Sequence, residues 1–317
     1  MPKVLQIMNA KNVLITGSTG FIGRHLVAEL AKTKGYNIFC LVRNPFKVKF
    51  LAKLGVKFIY ADITQSSSLE KILDYKIDII FHCAGYVNNK NRDLLYKINV
   101  LGTKNICRLA KKLDIERMVY LSSVSVVSGN PLVPLCEDLP YKATNIYGES
   151  KIEAEKKVID YRKKGLRSVI LRPCMVYGEG EPHMLGLLLF LLKFRLLPLI
   201  NGGRNKLHLV YVKNVVEAML FSLNNDKFLQ GTFFIADNEV LTVKDIFTIL
   251  AAAINSSPPW DIPVILNHFF LNIPFVGKKL KFFLKDRIYS IEKIKSLNFN
   301  PIYPAQESLK NSVIKKM

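Results

Sequence analysis

Tyr147 and Lys151 stand four residues apart in Tyr-Gly-Glu-Ser-Lys, a spacing that puts both side chains on one face of a helix. An ammonium beside a phenol favours the phenolate and draws the tyrosine pKa towards working pH, so the pair is a candidate general acid/base. The spacing alone is weak, because Tyr86/Lys90 and Tyr289/Lys293 repeat it in a Lys-rich chain. Tyr147 differs in having a partner upstream. The apolar run Arg117–Ser122 reads as a strand ending in Ser122 and Ser123, and ligands gather at the carboxyl edge of a parallel sheet. Ser123 is placed there to hydrogen-bond a reacting oxygen beside the tyrosine, with Ser125 a weaker competitor. Such a trio suits proton transfer to or from a hydroxyl or ketone oxygen while a redox cofactor exchanges hydride with its carbon.

A site for that cofactor is written near the start. Thr16-Gly17-Ser18-Thr19-Gly20-Phe21-Ile22-Gly23 follows a short apolar run and opens a helical pattern. Glycines let backbone N–H groups approach a pyrophosphate, and the helix N-terminus adds partial positive charge. Gly17, Thr19, Gly20, Phe21, Ile22 and Gly23 are therefore expected at a dinucleotide. The second strand ends Leu41-Val42-Arg43-Asn44 with no carboxylate. An acidic residue there suits a free ribose hydroxyl, whereas Arg43 pairs with a 2′-phosphate, so NADP is favoured over NAD. The plainer alternative for Arg43 is a surface residue on a loop.

The elements that carry these residues alternate as parallel βαβ units do. Strands are expected at Val13–Thr16, Asn37–Val42, Lys57–Ala61, Asp78–Cys83, Arg117–Ser122 and Val169–Leu171. Helices are expected at Phe21–Lys34, at Ser66–Asp74 with Ser66 as cap, and from about Asp93 to Leu113. Beyond Pro173 the pattern loosens, although Thr232–Ala236 reads as a strand and Val243–Ile254 as a helix. The fold expected is α/β, a Rossmann-type doubly wound parallel sheet with a smaller C-terminal substrate-binding region. Residues 11–175 would form the NAD(P)-binding domain. Residues 176–317 would form mainly the substrate region, with a stretch of about 205–240 returning to the first part.

Bulk properties agree with an enzyme of this size. The chain has 317 residues, half of them hydrophobic, enough for a substantial core. A formal charge of +21 attracts anions without choosing among dinucleotides, phosphorylated substrates and acidic membranes. Nucleic acid is rejected, since no recognised binding module accompanies the charge. Five scattered cysteines without a CxxC spacing argue against disulfides and a metal site. No signal peptide is evident, and a cytoplasmic location is expected, with membrane association left open. Met184–Ile200 is apolar, but it is short of the ~20 residues a span needs and Lys193, Arg195 and Pro198 interrupt it. With the basic, aromatic stretch near 262–285, it reads as a lid over a lipophilic substrate or as peripheral contact with an anionic membrane. An ordinary core helix and a loop are the plainer reading.

Taken in order, the motifs resemble the extended short-chain dehydrogenase/reductase family, also called the NAD-dependent epimerase/dehydratase family. The likeness covers nearly the whole chain: TGSTGFIG at 16–23, Asp62 after strand three, HCAG at 82–85, NVLGT at 99–103, YLSS at 120–123, YGESK at 147–151, LRPCMVYGEG at 171–180 and HLVYVKNVVEA at 208–218. The Leu-Val-Arg ending of strand two and the apolar segment Pro258–Leu284 look most like the dihydroflavonol-reductase and 3β-hydroxysteroid-dehydrogenase branches. The resemblance implies Asp62 and Ile63 at the adenine and Cys83, Ala84 and Gly85 along the cofactor. It implies Lys151 at the nicotinamide ribose, Pro173 against the nicotinamide, and Asn99 supporting the active-site helices. It also implies a small-molecule substrate and a homodimer. Net oxidoreduction is the main expectation. Nucleotide-sugar epimerisation or dehydration with a recycling cofactor is the alternative, and a non-catalytic cofactor sensor the second.

Overall fold

The computed structural model describes residues 10–262 and 283–314. Ten strands are defined among them: β1 Lys11–Thr16, β2 Tyr36–Val42, β3 Lys57–Tyr60, β4 Ile79–His82, β5 Arg117–Leu121, β6 Ser168–Pro173, β7 Met175–Tyr177, β8 Lys206–Tyr211, β9 Thr232–Ile235 and β10 Val240–Thr242. The helices used below are α1 Phe21–Leu30, α2 Lys49–Ala52, α3 Arg92–Leu95, α4 Thr103–Lys112, α5 Ile146–Arg162, α6 Leu185–Lys193, α7 Val212–Phe221, α8 Val243–Ala253, α9 Glu292–Lys295 and α10 Ala305–Ile314.

The chain divides into two units. The first takes Met1–Gly129, Tyr141–Arg172 and Met219–Thr232, and the second takes Asn130–Pro140, Pro173–Ala218 and Phe233–Met317. A seven-stranded sheet runs in the order β3-β2-β1-β4-β5-β6-β9. Every pairing from β3 to β6 is parallel. This is the doubly wound Rossmann-type sheet expected from the alternating pattern. Its central strands are sandwiched on both faces, which is why β4 and β5 are buried along their whole length. Strand order reverses beside β1, so the crevice at the carboxyl ends of β1 and β4 is the place where such sheets receive ligands. Below it, Leu14, Ile80, Ile106, Met118, Ala154 and Val158 belong to one continuous core cluster. Each large aliphatic side chain there contributes about 1.5–3 kcal/mol by leaving water.

Helix boundaries depart from the sequence pattern in three places. α1 stops at Leu30 rather than Lys34, because its apolar face (Leu26, Val27, Leu30) ends there. Ser67–Asp74 forms a 3-10 helix, and Ser66 makes no side-chain cap; Ser68 takes the polar role instead, its hydroxyl accepting from Asp62 N–H at 3.0 Å. The expected long helix from Asp93 is built in three pieces. Asn91 caps α3 by accepting from Leu94 N–H at 2.9 Å, a π-helical turn spans Tyr96–Gly102, and α4 follows. Such turns insert one extra residue and re-aim the side chains they carry.

The second unit holds a three-stranded sheet, β10-β8-β7, antiparallel then parallel. The α8 helix begins with a capping box: Thr242 Oγ1 accepts from Asp245 N–H at 3.0 Å while the Asp245 carboxylate accepts from Thr242 N–H at 3.0 Å. Asp237 anchors the loop after β9. Its carboxylate accepts from the Tyr177 hydroxyl at 2.8 Å, Tyr211 N–H at 2.9 Å and Asn214 Nδ2 at 2.7 Å. The apolar run at 184–200 folds as the short helix α6, with Leu185, Leu188 and Leu192 inward. No described helix is long and apolar enough to cross a membrane. Most of the aromatic, basic stretch near 262–285 (residues 263–282) lies outside the described residues.

Candidate active site

The turn between β1 and α1 is built around two glycines that tolerate no side chain. Gly17 has φ +69°, and a Cβ there would lie 2.6 Å from Ala84 N. A Cβ on Gly23 would lie 2.1 Å from Gly17 O, so the first turn of α1 packs directly on the loop. Gly20 is the N-cap and offers no side-chain cap, and no acidic residue occupies the first turn. The free N–H groups of α1 therefore face an uncapped, positively polarised end, with Thr19 and Gly20 exposed. That arrangement fits the diphosphate of a dinucleotide. Phe21 and Ile22 are half-buried at the start of the helix, and the Arg24 guanidinium lies 5.6 Å from the Phe21 ring centroid.

Other residues expected at the cofactor fall into three places. Arg43 is exposed immediately after β2, and Asn44 stabilises that corner by accepting from Phe46 N–H at 2.9 Å. Asp62, half-buried after β3, accepts from Thr64 N–H at 2.8 Å. Ile63 is buried, and its carbonyl accepts from Asn105 Nδ2 at 2.8 Å. Cys83, Ala84 and Gly85 follow β4. Burial pushes the Cys83 thiol up to about 12, the nearby Lys151 charge opposing the shift. Pro173 is buried at the end of β6, and with it the chain passes into the second unit.

The trio of Ser123, Tyr147 and Lys151 is assembled by α5 and the end of β5. Asn145 caps α5 by accepting from Gly148 N–H at 2.9 Å, and Tyr147 N–H donates to Asn89 Oδ1 at 2.8 Å. A Cβ on Gly148 would lie 2.8 Å from Ser125 O, so only glycine lets the first turn of α5 close on the loop after β5. That approach brings the first turn of α5, with Tyr147, beside the loop that carries Ser123. Ser125 N–H donates to Ser123 Oγ at 3.2 Å and fixes the serine, while the Ser125 hydroxyl itself is buried without a partner among the described residues.

Lys151 is buried one turn on. Its Nζ donates to Leu121 O at 2.8 Å and to the Tyr120 hydroxyl at 3.3 Å. A Cβ on Gly85 would stand 3.6 Å from both Lys151 Nζ and Asn99 Oδ1, which puts the HCAG loop against the trio. Asn99 lies on the π-helical turn and works as a clasp. It donates to Tyr86 O at 2.9 Å and to Ser150 Oγ at 2.8 Å, and it accepts from Tyr86 N–H at 2.8 Å. The HCAG loop, the π-helical turn and α5 are thus tied at one side chain.

The electrostatics differ from the sequence expectation. Burial raises the Tyr147 phenol to about 12, with Ser123 opposing the shift. The Lys151 ammonium is directed at Leu121 O and the Tyr120 hydroxyl. Desolvation outweighs the hydroxyl contact. The Lys151 ammonium is itself pulled down to about 8 by burial, with Glu155 opposing. At neutral pH the site therefore holds a protonated phenol and a charged lysine.

Several residues around the site carry no assignment from motif reasoning. His82 and Thr103 lie inside the HCAG and NVLGT motifs and Tyr120 inside YLSS, so the signal was present without a role attached. Glu155 and Arg172 had none beyond a place in a helix and in a strand. They form a buried pair at 2.7 Å. Among the described residues no His/Cys/Asp/Glu group could hold a metal ion.

Comparison with known proteins shows the family of the chain. Residues 13–236 match the model of the NAD dependent epimerase/dehydratase family. The chain is 27% identical to sterol-4-alpha-carboxylate 3-dehydrogenase, decarboxylating, of Schizosaccharomyces pombe, over 96% of this chain and 97% of that protein. It is 29% identical to UDP-glucose 4-epimerase of Vibrio cholerae, over 80% of this chain and 79% of that protein. Its fold superposes on UDP-glucuronic acid 4-epimerase from Bacillus cereus in complex with NAD, with a TM-score of 0.79 and 21% identity, covering 96% of this chain and 98% of that one. A family match spanning most of the chain makes this protein a member of the NAD-dependent epimerase/dehydratase family.

Proposed function

We propose that this protein is an NAD(P)-dependent oxidoreductase acting at a hydroxyl or ketone carbon of a small molecule, with Tyr147 as general acid/base. The observation that supports this is the close approach of the first turn of α5, which carries Tyr147, to the loop after β5 that carries Ser123, with the buried Lys151 one turn on. The nicotinamide cofactor supplies or takes up hydride. Gly17, Thr19, Gly20, Phe21, Ile22 and Gly23 would hold its diphosphate, Asp62 and Ile63 its adenine, and Cys83, Ala84, Gly85 and Pro173 the remainder. Ser123 orients the substrate oxygen. Tyr147 keeps its proton at neutral pH and is poised to give it to an oxygen that gains negative charge, which suits carbonyl reduction. Lys151 supplies positive charge beside the developing phenolate and a donor for the ribose, and Asn99 keeps the two helical segments in register.

The test is turnover of NADH and NADPH with a panel of carbonyl substrates, followed at 340 nm. Tyr147→Phe should lower the rate by about 10²–10⁴-fold while leaving cofactor affinity intact. Wild-type turnover in that variant would remove the proposal. The UDP-glucose 4-epimerase relative supports the second reading, in which hydride returns to the substrate. Conversion of a nucleotide sugar with no net change at 340 nm would select it. Cofactor bound without conversion of either substrate class would leave a sensor.

Finer points follow from single residues. Arg43, without a neighbouring carboxylate, supports NADP over NAD. A homodimer is supported by the family resemblance, and light scattering on the eluted protein would measure it. Peripheral contact with an anionic membrane is supported by Phe190, Phe194 and Leu196, each more than half exposed, with Lys193 and Arg195 interleaved among them. Failure to sediment with phosphatidylserine vesicles at moderate salt would discard it.

A further inference from the structure

We propose that the segment following β2 is a docking surface for an anionic phospholipid bilayer, entered by Phe46 and Phe50 and held by Lys47, Lys49 and Lys53. It is a different surface from the α6 face and rests on no part of the catalytic reading. Between Glu29 and Asp62 the chain carries no carboxylate, while Arg43, Lys47, Lys49, Lys53 and Lys57 follow in quick succession. Within that run Phe46 is 87% exposed and Phe50 56%. A lone exposed apolar side chain needs no explanation. Two phenylalanines four residues apart, with cations on either side of each, form a patch.

The local structure holds these rings outward. Asn44 caps the 3-10 turn Pro45–Lys47 by accepting from Phe46 N–H at 2.9 Å, and Pro45 fixes the first backbone angle of the turn. The turn runs on into α2, where Ala52 N–H donates to Val48 O at 2.9 Å. Leu51 is buried and pins α2 from beneath. Phe46 and Phe50 therefore stand in water on a braced support. Tyr60, on the edge strand β3 and 47% exposed, is registered against Val42 and adds a third ring beside the strand end from which the segment leaves.

The charges select the partner. Arg43, Lys47, Lys49 and Lys53 are exposed and make no ion pair among the described residues. At a bilayer the rings enter the boundary between headgroups and acyl chains, and the ammonium groups stay level with the phosphates on their flexible stems. Nucleic acid fits less well. Sites that stack bases set their rings along a charged groove, whereas the most exposed ring here stands alone on a turn. The segment leaves β2 at its carboxyl end, and β1 runs parallel to β2 with Thr16 opposite Leu41. The patch and the glycine turn thus share one edge of the sheet, and docking would turn the ligand-receiving edge towards the lipid.

The experiment is sedimentation of the full chain with vesicles of phosphatidylcholine alone and of phosphatidylcholine with phosphatidylserine. The phosphatidylserine vesicles should carry the protein down, and salt of about 1 M should release it. Phe46→Ser combined with Phe50→Ser should lower the partition coefficient by about tenfold or more. Each of Lys47→Ala, Lys49→Ala and Lys53→Ala should lower it by about fivefold. All five side chains are exposed, so an unchanged melting temperature separates loss of docking from loss of the fold. Binding kept in Phe190→Ser with Phe194→Ser, and lost in the Phe46 and Phe50 pair, assigns the docking to this segment. No sedimentation with phosphatidylserine, or sedimentation that survives the Phe46 and Phe50 substitutions, would overturn the proposal. So would equally tight binding of a single-stranded oligonucleotide.

Discussion

Glu155 follows Lys151 by one turn of α5, and Arg172 grips its carboxylate through two parallel hydrogen bonds, Nε to Oε1 at 2.9 Å and Nη2 to Oε2 at 2.7 Å. The Tyr141 hydroxyl adds a third at 2.7 Å, and the pair is almost completely removed from water. Removing one member would strand the other charge in the core. Glu155→Ala is expected to cost about 3–5 kcal/mol in urea denaturation, and a double variant that removes Arg172 as well should recover part of that loss.

The same carboxylate bears on pH. Lys151 is charged below about 8 and neutral above it. If its ammonium assists Tyr147, kcat should fall as pH rises through that value, and Glu155→Gln should move the fall to lower pH by removing the opposing charge. For stability the sign is the reverse. The folded-state pKa is depressed from 10.5 to about 8, so the unfolded chain binds the extra proton between those values. The contribution of this group is fully present above 10.5 and is lost as pH falls to about 8. Stopped-flow rates and denaturation curves across this range would check both.

Gly148 sets the distance between α5 and the serine loop. Gly148→Ala places a methyl 2.8 Å from Ser125 O, so the first turn of α5 must move away. Turnover should fall by about 10²-fold through misplacement of Tyr147, with the dissociation constant for NADPH little changed. Equal losses in rate and cofactor affinity would point to general unfolding instead.

Arg43→Ala should weaken NADPH binding by about tenfold or more and leave NADH nearly untouched, because one charge-assisted contact to phosphate is lost. Isothermal calorimetry with both cofactors measures this. Equal affinity of the wild-type protein for NAD and NADP would remove the preference.

Sheet, glycine turn and the tyrosine–lysine pair were legible because each is a local pattern: alternating runs, a turn that only glycine closes, a helical spacing of four. Ser123 was legible through its place at a strand end. The buried contacts of His82 with Thr16 and Thr103 were not, since they exist only once β1 and β4 lie side by side with Thr16 paired to His82. The direction of the Lys151 ammonium was not legible for a related reason. Which way a lysine points inside a core depends on the carbonyls that neighbouring strands present, here Leu121 O.

Arg117 opens β5, yet its buried guanidinium is satisfied by chain that arrives a hundred residues later: the carbonyls of Ser222 and Asn225 and the carboxylate of Asp226. A gene fragment stopping after β6 would encode every strand from β1 to β6 and still leave that cation without its acceptors. Such a truncated product should be recovered insoluble or degraded. Grafting the glycine turn and its crevice onto another protein would accordingly require carrying the 219–232 return along with them.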